Sequence, residues 1–480
     1  MRLDAVQQQL NWLLAGILAA WVLPCQATEW LVGPNKMYSM PSQVAALVQD
    51  GDTISIDAGV YWGDVAYWGK NNLLLRGVGG MAHLQSGGLS YGNKAIWVIG
   101  GNNVTVEYIE FSECTSTDKN GGGIRAEGKN LTVRYCSFHH NETGILAASV
   151  SPSTIVIEYC EFGYNGHVNG YAHNCYINQI DTLIFRYNYV HHAVVGHELK
   201  SRAHVNFILY NRFSNEDGNA SREIDLPNAG MALLIGNIFQ QGINATNSGM
   251  LGYGLEGMTA PVPHELYLIN NTFINDKNSG TFVHIQSGSS LLKIYNNMFV
   301  GGGTLIVGYA AVIDSSHNWK VASLSSAGFA DPLAYDYRLT GGSPAIDAGI
   351  DPGTASNGMV LLPQYEYVHP HGKKERITYG APDLGAHEYE WPQYVEGMGS
   401  DLSAIRLYTC GCAVAVQGPN ASGMLLRVYD LSGLFVAQAR LLGAWHTVQL
   451  PRTERKGFLI CMTEPTGKTI CRKALLSCTR

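Results

Sequence analysis

Residues able to move protons and bind anions are concentrated between positions 170 and 256 of the sequence. Lysine, histidine and carboxylates can act as general acids or bases, and arginine can neutralise an anion. His173 precedes Glu198 by 25 residues, and Lys200 precedes Asp225 by 25 residues. This shared spacing predicts that successive repeats of one structural unit position these groups. The four charged stretches read GYAHNCYI, GHELKSR, SREIDLPN and YGLE.

The second of these stretches contains alternating polar and apolar residues, which predicts a strand. Side chains on a strand alternate between its two faces. We therefore expect Glu198, Lys200 and Arg202 to point outward and Leu199 to point inward. An outward face of mixed charge could be a simple ladder of ion pairs, which contributes little to stability. The concentration of charge in these few repeats favours a binding or catalytic groove instead.

Two sets of candidate site residues follow from these positions. The candidate catalytic residues are Lys200, Arg222, His173 and His197. The candidate substrate-binding residues are Arg202, Asn174, Glu198, Asp225, Asn228, Tyr253 and Glu256. No metal ligands are assigned, because the pairs His139-His140 and His191-His192 fall at predicted turns, where histidines are more often surface residues.

A phrase of alternating apolar residues that ends in an aromatic recurs through the middle of the chain, for example as NVTVEYIEF, NLTVRYCSF and TIVIEYCEF. The period of two predicts strands with one buried face. A repeat of about 25 residues has room for two or three short strands but not for a long helix. The closing aromatics are Phe111, Phe138, Phe162, Tyr189, Phe213, Phe239, Phe273 and Phe299.

A single repeat of this length cannot bury its own apolar face, but repeats stacked at about 4.8 Å build a continuous core. The prediction is an all-β, parallel β-helix of at least eight coils, since propeller blades need about 40–50 residues each. Cys136 and Cys160 are expected in a buried column of small apolar side chains, and a disulfide between neighbouring coils is the alternative. A ladder of asparagines at left-handed turn positions is also expected. Its members are Asn188, Asn211, Asn237, Asn271 and Asn297.

The segment VAALVQDGDTISIDAGVY, from Val44 to Tyr61, resembles the capping helix and first strand of pectate-lyase-like right-handed parallel β-helices. Residues 331–349 and 383–389 resemble the phrases that finish many bacterial β-helices. The resemblance implies a single-stranded, right-handed coil with its N-terminal end covered, because an uncovered end is an aggregation edge.

A second resemblance concerns chemistry. A Lys-Ser pair on a strand, followed one coil later by an arginine, is similar to the β-helical polysaccharide lyases that include alginate lyases and chondroitinase B. The resemblance implies that Lys200 is the Brønsted base and Arg222 the acid or a subsite cation. It also implies calcium, held by Asn and Glu residues, as a possible cofactor. This sequence departs from that ligand pattern, since only Glu198 lies near Lys200.

The leading hypothesis is a secreted enzyme that cleaves an anionic, uronate-containing polysaccharide by β-elimination. Like charge from Arg202 and Arg222 would favour the neutral, basic form of Lys200; alternatively a histidine is the base. Other options are a uronan epimerase, a non-catalytic surface adhesin that binds glycans, and a glycoside hydrolase with a pair of carboxylates. The carboxylates available to such a hydrolase are Glu198, Glu223, Asp225 and Glu256.

The two ends of the chain differ from the repeats. Residues 1–27 are predicted to be a signal peptide, with an apolar run followed by Cys25-Gln26-Ala27. The β-helix with its cap is assigned to residues 28–390, a linker to 391–400 and a small antiparallel β-sandwich to 401–480. The sandwich resembles the C-terminal sorting domain of the type IX secretion system of Bacteroidetes. The resemblance rests on VYDLSG from Val428, on Gly457-Phe458 and on the GKT hairpin before KALL.

Composition limits the partners. The formal net charge of −7, from 31 Lys and Arg against 38 Asp and Glu, argues against a nucleic-acid binder. No second hydrophobic segment follows the first, so no membrane span is expected in the mature chain. We expect a monomer, secreted or on the cell surface, whose partners are an anionic polysaccharide and the type IX secretion machinery.

Overall fold

The computed structural model describes residues 27–378 and 380–390, and seven segments of the C-terminal part. The predicted linker 391–400 lies outside the described residues, as does the predicted signal peptide except for its last residue. The seven C-terminal segments are 406–410, 413–417, 423–430, 435–442, 445–449, 457–463 and 469–475.

The body of the protein is a right-handed parallel β-helix, which confirms the predicted fold. Each coil contributes one short strand to each of three parallel sheets, which we number 1, 2 and 3 in chain order. One coil, for example, contains Thr154–Glu158, Glu161–Gly163 and Cys175–Ile177. Each strand pairs in parallel with its equivalent in the coils before and after it.

The strands of sheet 1 are Glu29–Val32, Thr53–Trp62, Leu74–Gln85, Thr105–Glu107, Thr132–Arg134, Thr154–Glu158, Thr182–Arg186, Val205–Leu209, Met231–Ile235, Glu265–Ile269, Ser289–Tyr295 and Ala310–Ser316. The long strands Thr53–Trp62 and Leu74–Gln85 continue into sheet 2. The other strands of sheet 2 are Ile109–Ser112, Ser137–His139, Glu161–Gly163, Tyr189–His191, Arg212–Ser214, Ile238–Gln241, Thr272–Asn275, Met298–Gly301 and Trp319–Val321. The strands of sheet 3 are Ala66–Trp68, Ala95–Ile99, Gly122–Ala126, Thr143–Ala147, Cys175–Ile177, Leu199–Ser201, Ile224–Leu226, Gly249–Tyr253, Thr281–Ile285 and Thr304–Val307.

Each repeated phrase forms two strands rather than one, because a residue with positive φ bends the chain between sheets 1 and 2. Tyr187 and Tyr210 have this conformation, with φ of 60° and 57°. The prediction that the asparagines themselves are left-handed is therefore wrong by one residue, since Asn188 and Asn211 each follow the bend. The sequence does not show whether the tyrosine or the asparagine is left-handed, because Asn commonly adopts this conformation.

The asparagines after the bend form a buried ladder, as predicted. The Asn188 side-chain amide donates to Oδ1 of Asn211 at 3.0 Å, and Asn211 donates to Oδ1 of Asn237 at 3.0 Å. Each amide also donates to a main-chain carbonyl on the sheet 1 strand of the preceding coil, as Asn211 does to the Phe185 oxygen at 2.9 Å. Because buried amides need partners, the ladder satisfies polar groups that the turn would otherwise leave unpaired.

The repeat aromatics stack inside the coil. The Phe138 and Phe162 rings lie 4.8 Å apart and nearly parallel. Tyr189 does not continue this stack: Phe162 is in register with Val190, and the Phe185 ring occupies the next level. The repeat phrase is therefore shifted by one residue at this coil: Tyr189 is buried, but it lies one residue before the inward position.

The N-terminal cap and the buried cysteines agree with the sequence predictions. The helix Ser42–Ala45 precedes the strand Thr53–Trp62, and Val44 is fully buried against the first coils. Cys136 and Cys160 are free and buried, as are Cys114 and Cys175. The described residues include no helix long and apolar enough to cross a membrane.

Residues after the last coil pack along the side of the β-helix. Ala345 and Leu384 join a buried cluster with Met298 and Val300 of sheet 2. The elements here are the 3-10 helices Leu324–Ser326 and Pro332–Ala334 and the antiparallel pairs Phe329–Asp331 with Asp336–Leu339 and Tyr365–Val368 with Gly372–Glu375.

The described part of the C-terminal region consists of two small antiparallel sheets, in keeping with the all-β prediction for residues 401–480. The first sheet contains Arg406–Cys410, Ala413–Gln417 and Trp445–Gln449. The second sheet contains Leu425–Asp430, Phe435–Arg440, Gly457–Thr463 and Thr469–Leu475. The relation to a sorting domain stays a prediction.

Candidate functional site on sheet 3

Three charged or polar side chains occupy equivalent outward positions on adjacent strands of sheet 3. Tyr176 is in register with Lys200, and Lys200 is in register with Asp225. Their strand neighbours Cys175, Leu199 and Ile224 are fully buried in the core. The alternation along these strands therefore fixes the outward direction of all three side chains.

Lys200 lies between two carboxylates. Its Nζ is 2.7 Å from Oε1 of Glu256 and 3.4 Å from Oδ2 of Asp225. The other Glu256 oxygen, Oε2, accepts a hydrogen bond from Arg202. Two acidic groups therefore contact the Lys200 ammonium, which opposes the expected effect of like charge from Arg202 and Arg222. One exposed carboxylate is held by two cations, one at each oxygen.

Tyr176 is a functional candidate that the sequence analysis missed. Its hydroxyl accepts a hydrogen bond from Nε of Arg202 at 2.9 Å. The Lys200 Nζ lies 5.8 Å from the centre of its ring. Arg202 is held from the other side by Asn228, whose Oδ1 accepts from Nη1 at 2.5 Å. Its spacing in the sequence could have identified it: Tyr176 precedes Lys200 by 24 residues, close to the 25 residues between Lys200 and Asp225.

His173 and His197 form a stacked pair beside this column, with ring centres 4.9 Å apart. Nδ1 of His173 accepts from the main-chain N–H of His197 at 2.9 Å, and Nδ1 of His197 accepts from the main-chain N–H of Arg222 at 3.2 Å. Burial, with Lys200 and Arg222 nearby, lowers the pKa of His197 to about 3. Each ring is therefore neutral at neutral pH and carries its proton on Nε2, which makes it a hydrogen-bond donor.

The two acidic groups of the site have pKa values displaced in opposite directions. Burial raises the pKa of Asp225, although Lys200 and Arg222 partly offset it. Burial also acts to raise the pKa of Glu256, but the hydrogen bonds from Lys200 and Arg202 outweigh it and lower the value to about 2. Arg222 completes the group: it donates from Nη1 to the Gly249 carbonyl at 3.1 Å.

Three of the predicted substrate-binding residues lie in the interior. Asn174, Glu198 and Tyr253 have no exposed surface, so their assignment to an outward groove is wrong. The strand begins at Leu199, and Glu198 belongs to the preceding turn, from which its side chain points inward. There Asn174 donates to the Glu198 carboxylate. Tyr253 ends its strand on the inward side and donates to the Gly230 carbonyl.

Glu198 and Glu223 are buried carboxyls on successive coils. Burial raises the pKa of Glu198 to about 8, against the lowering effect of hydrogen bonds from Ala193 and Asn174. Burial also raises the pKa of Glu223 well above its usual value, and the neighbouring Glu198 adds to this. Neither Glu223 oxygen has a hydrogen-bond partner among the described residues. These carboxyls bear on stability and not on the outward surface.

The residues around Lys200 do not fit a calcium ion. Calcium takes six to eight oxygen ligands, several of them from free carboxylates. Here Glu256 and Asp225 both contact the Lys200 ammonium, and Glu198 is buried away from them. We therefore derive no step that uses calcium.

Comparison with known proteins places the repeats in a broad class. A family model described as a right-handed β-helix region matches residues 71–220. This is less than a third of the chain, but it includes Tyr176, Lys200 and Arg202. No curated protein sequence is similar enough to count as a relative.

Two solved structures are similar to this chain at low sequence identity. Pectate lyase Pel9A is 16% identical with a TM-score of 0.49, over 76% of this chain and 96% of its own. The full-length tailspike protein 2 of Escherichia coli O157:H7 bacteriophage CAB120 is 11% identical with a TM-score of 0.26, over 89% of this chain and 65% of its own.

A cavity of about 430 Å³ lies elsewhere, where the segment after the last coil meets sheet 2. Arg212, Tyr337, Tyr367 and His369 are among the residues that line it. None of the predicted site residues contributes to this cavity.

Proposed function

We propose that the outward face of sheet 3 binds an anionic, uronate-containing polysaccharide and cleaves it by β-elimination. The observation that carries the proposal is that Lys200 and Arg202 each donate a hydrogen bond to a different oxygen of Glu256. Cations placed at both oxygens of one carboxylate are what recognition of a uronate requires. Glu256 is the exposed member of the group, with 46% of its side chain accessible, so a substrate carboxylate could replace it.

The charge of this face supports an anionic substrate. Lys200, Arg202 and Arg222 are three cations, and two carboxylates face them. Because the two histidines are neutral, displacement of Glu256 would leave an excess of positive charge. The proposal includes export from the cell, which rests on the sequence of the two ends of the chain.

The reaction needs three contributions from these residues. Binding of the uronate carboxylate to Lys200 and Arg202 would make the C5 proton more acidic. A base takes that proton, its bonding electrons form the C4–C5 double bond, and the C4–O4 bond breaks. The departing O4 receives a proton from an acid. The candidate bases are Tyr176, with Lys200 and Arg202 both binding the carboxylate, and Lys200 itself, in which case Arg202 alone binds the carboxylate. The candidate acids are the Nε2–H group of His197 and Arg222.

Replacing Lys200 with alanine should reduce kcat/KM on the cleaved polyuronide by about 10²–10⁴-fold, because a proton-transfer or carboxylate-binding group is lost. The measurement is the ultraviolet absorbance of the unsaturated product, with alginate, pectate and glycosaminoglycans as substrates. Tyr176→Phe distinguishes the two candidate bases. A loss of kcat/KM as large as that of Lys200→Ala would identify Tyr176 as the base.

Lys293→Ala is the matched control for this experiment. Lys293 also pairs with a carboxylate on the next coil, Asp314 at 2.9 Å, and lies 4.6 Å from the Tyr295 ring centre. It belongs to sheet 1, so its loss should leave activity unchanged. Equal activity of the Lys200 and Lys293 variants would contradict the proposed site. Binding without any cleavage by the wild type would make the protein a glycan-binding β-helix.

Replacing Glu256 with glutamine should lower the KM for the anionic polysaccharide by about 2–5-fold. The carboxylate competes with the substrate for Lys200 and Arg202, and an exposed ion pair contributes up to about 1 kcal/mol. The control is Glu390→Gln, which removes a similarly exposed carboxylate from Lys374 outside the site. A KM that rises would show that Glu256 binds the substrate rather than competing with it.

A glycoside hydrolase is the second candidate, and the opposite pKa displacements of Asp225 and Glu256 favour it. Carboxyls whose pKa values are driven apart are typical of an acid and its partner carboxylate. The same assay distinguishes the two reactions. New reducing ends without unsaturated product would assign a hydrolase.

A further inference from the structure

A second group of side chains, on sheet 2, could hold a metal ion. His83 lies on the strand Leu74–Gln85, Glu110 on Ile109–Ser112 and His139 on Ser137–His139. These strands are neighbours in sheet 2 and belong to three successive coils. His83 is in register with Glu110, and His139 is in register with Ser112. All three side chains are half-buried and lie on the outer side of the sheet.

The three side chains converge on one point. Nε2 of His139 is 2.8 Å from Oε1 of Glu110, and Nε2 of His83 is 3.6 Å from the same oxygen. The three potential ligand atoms lie within 4.8 Å of one another. We propose that these residues form a binding site for a divalent transition-metal ion of the zinc class.

The spacing suits that ion. Zinc bonds to histidine nitrogen and carboxylate oxygen at about 2.0–2.2 Å, which separates tetrahedral ligands by about 3.3–3.5 Å. The distances of Glu110 from the two imidazoles lie on either side of that range. Two nitrogens and one oxygen exclude a calcium preference, since calcium selects oxygen ligands. Three protein ligands leave the fourth position for water.

The surroundings also orient His139 as a ligand. Its Nδ1 lies 3.0 Å from Nδ1 of His140, so one of these nitrogens carries a hydrogen and the other accepts it. With Nε2 bound to the metal, His139 keeps its hydrogen on Nδ1 and donates it to His140. Metal-bound histidines usually donate their second N–H in this way, which fixes the ring. His140 is itself held by stacking on Tyr164, with ring centres 5.3 Å apart.

A related group further along sheet 2 does not converge and provides an internal comparison. Nε2 of His191 lies 3.3 Å from Glu161, whereas Nε2 of His192 lies 3.2 Å from a different carboxylate, that of Asp217. On the coil between His139 and His191, the residue in register with both is Gly163. His191 and His192 therefore form ion pairs with two different carboxylates, and these potential ligand atoms do not meet at one point.

The test is calorimetric titration of the full-length protein, prepared without a histidine tag, with ZnCl₂. We expect one ion per chain at this site, and a visible absorption spectrum of tetrahedral cobalt when Co²⁺ replaces zinc. Because the ligands come from three coils, zinc should also raise Tm. His83→Ala and Glu110→Gln should each abolish the cobalt spectrum, and His140→Ala should weaken zinc binding by about 10–100-fold.

His191→Ala is the matched control and should bind zinc as the wild type does. Glu110→Gln retains the shape of the side chain, so a loss of binding there cannot be attributed to misfolding if Tm without metal is unchanged. Absence of zinc binding by the wild type would overturn the proposal. Binding that survives His83→Ala but is lost in His191→Ala would also overturn it.

Discussion

Replacing Glu223 with methionine should stabilise the protein at mildly alkaline pH, by about 1–3 kcal/mol of unfolding free energy. This range is the usual cost of a buried polar group without a hydrogen-bond partner. The Glu223 carboxyl is fully buried, and neither of its oxygens has a hydrogen-bond partner among the described residues. Methionine fills the same volume without polar atoms that need partners.

The effect should depend on pH in a defined direction. Burial raises the pKa of Glu223 above the ordinary 4.5, so the folded state retains a proton that the unfolded state has released. The free energy of unfolding therefore falls as pH rises from about 4.5, by up to about 1.4 kcal/mol per pH unit for each such group. Glu198 adds to the same loss up to a pH of about 8.

The measurement is Tm of wild type and variant across this pH range. The stabilisation by Glu223→Met should be small near pH 4.5 and should increase toward pH 8, while Glu375→Met, at an exposed glutamate, should show no such trend. A variant that is less stable than the wild type at alkaline pH would mean that the Glu223 carboxylate is ionised and stabilised by a partner.

Replacing Asn211 with alanine should destabilise the protein by about 3–5 kcal/mol. The Asn211 Oδ1 accepts hydrogen bonds from both the main-chain and the side-chain N–H groups of Asn188, each at 3.0 Å. Its amide also donates to the Phe185 carbonyl at 2.9 Å. Each buried group left without a partner costs about 1–3 kcal/mol, so the loss of several partners makes this effect large.

A second asparagine ladder, on the surface, is the matched control. Asn103 donates to Asn72 at 3.0 Å and accepts from Asn130 at 2.9 Å, but water can replace these partners. Asn103 has a φ of 56°, so glycine is the substitution that removes its amide without adding strain. Asn103→Gly should change the unfolding free energy by no more than about 0.5 kcal/mol. Equal effects at both positions would refute a special role for burial.

The repeat period made the fold predictable. Alternating apolar residues that recur at one coil length leave stacked parallel strands as the arrangement that buries them all. Hydrophobic alternation does not show where a chain turns, however. For this reason the sequence pattern places Tyr189 in the aromatic stack, whereas the ring that stacks next to Phe162 is that of Phe185.

The site was predictable only in part, because spacing gives the level of a residue but not its direction at a strand end. Lys200, Arg202, Asp225 and Glu256 do come together as expected. Glu198 shares their period, yet it precedes the strand and points into the core. The contact of Glu256 with Lys200 crosses 56 residues and two coils, and a loop conformation determines it.

Because each coil contacts mainly its two neighbours, the protein is modular along its axis. The inward Phe column continues from Phe111 to Phe299 and the Asn ladder from Asn188 to Asn318, whereas the outward residues differ from coil to coil. Excision of one complete coil outside residues 170–260 would shorten the cylinder by about 4.8 Å and rejoin equivalent surfaces. The length of the scaffold can therefore change by whole coils while the chemistry on sheet 3 stays intact.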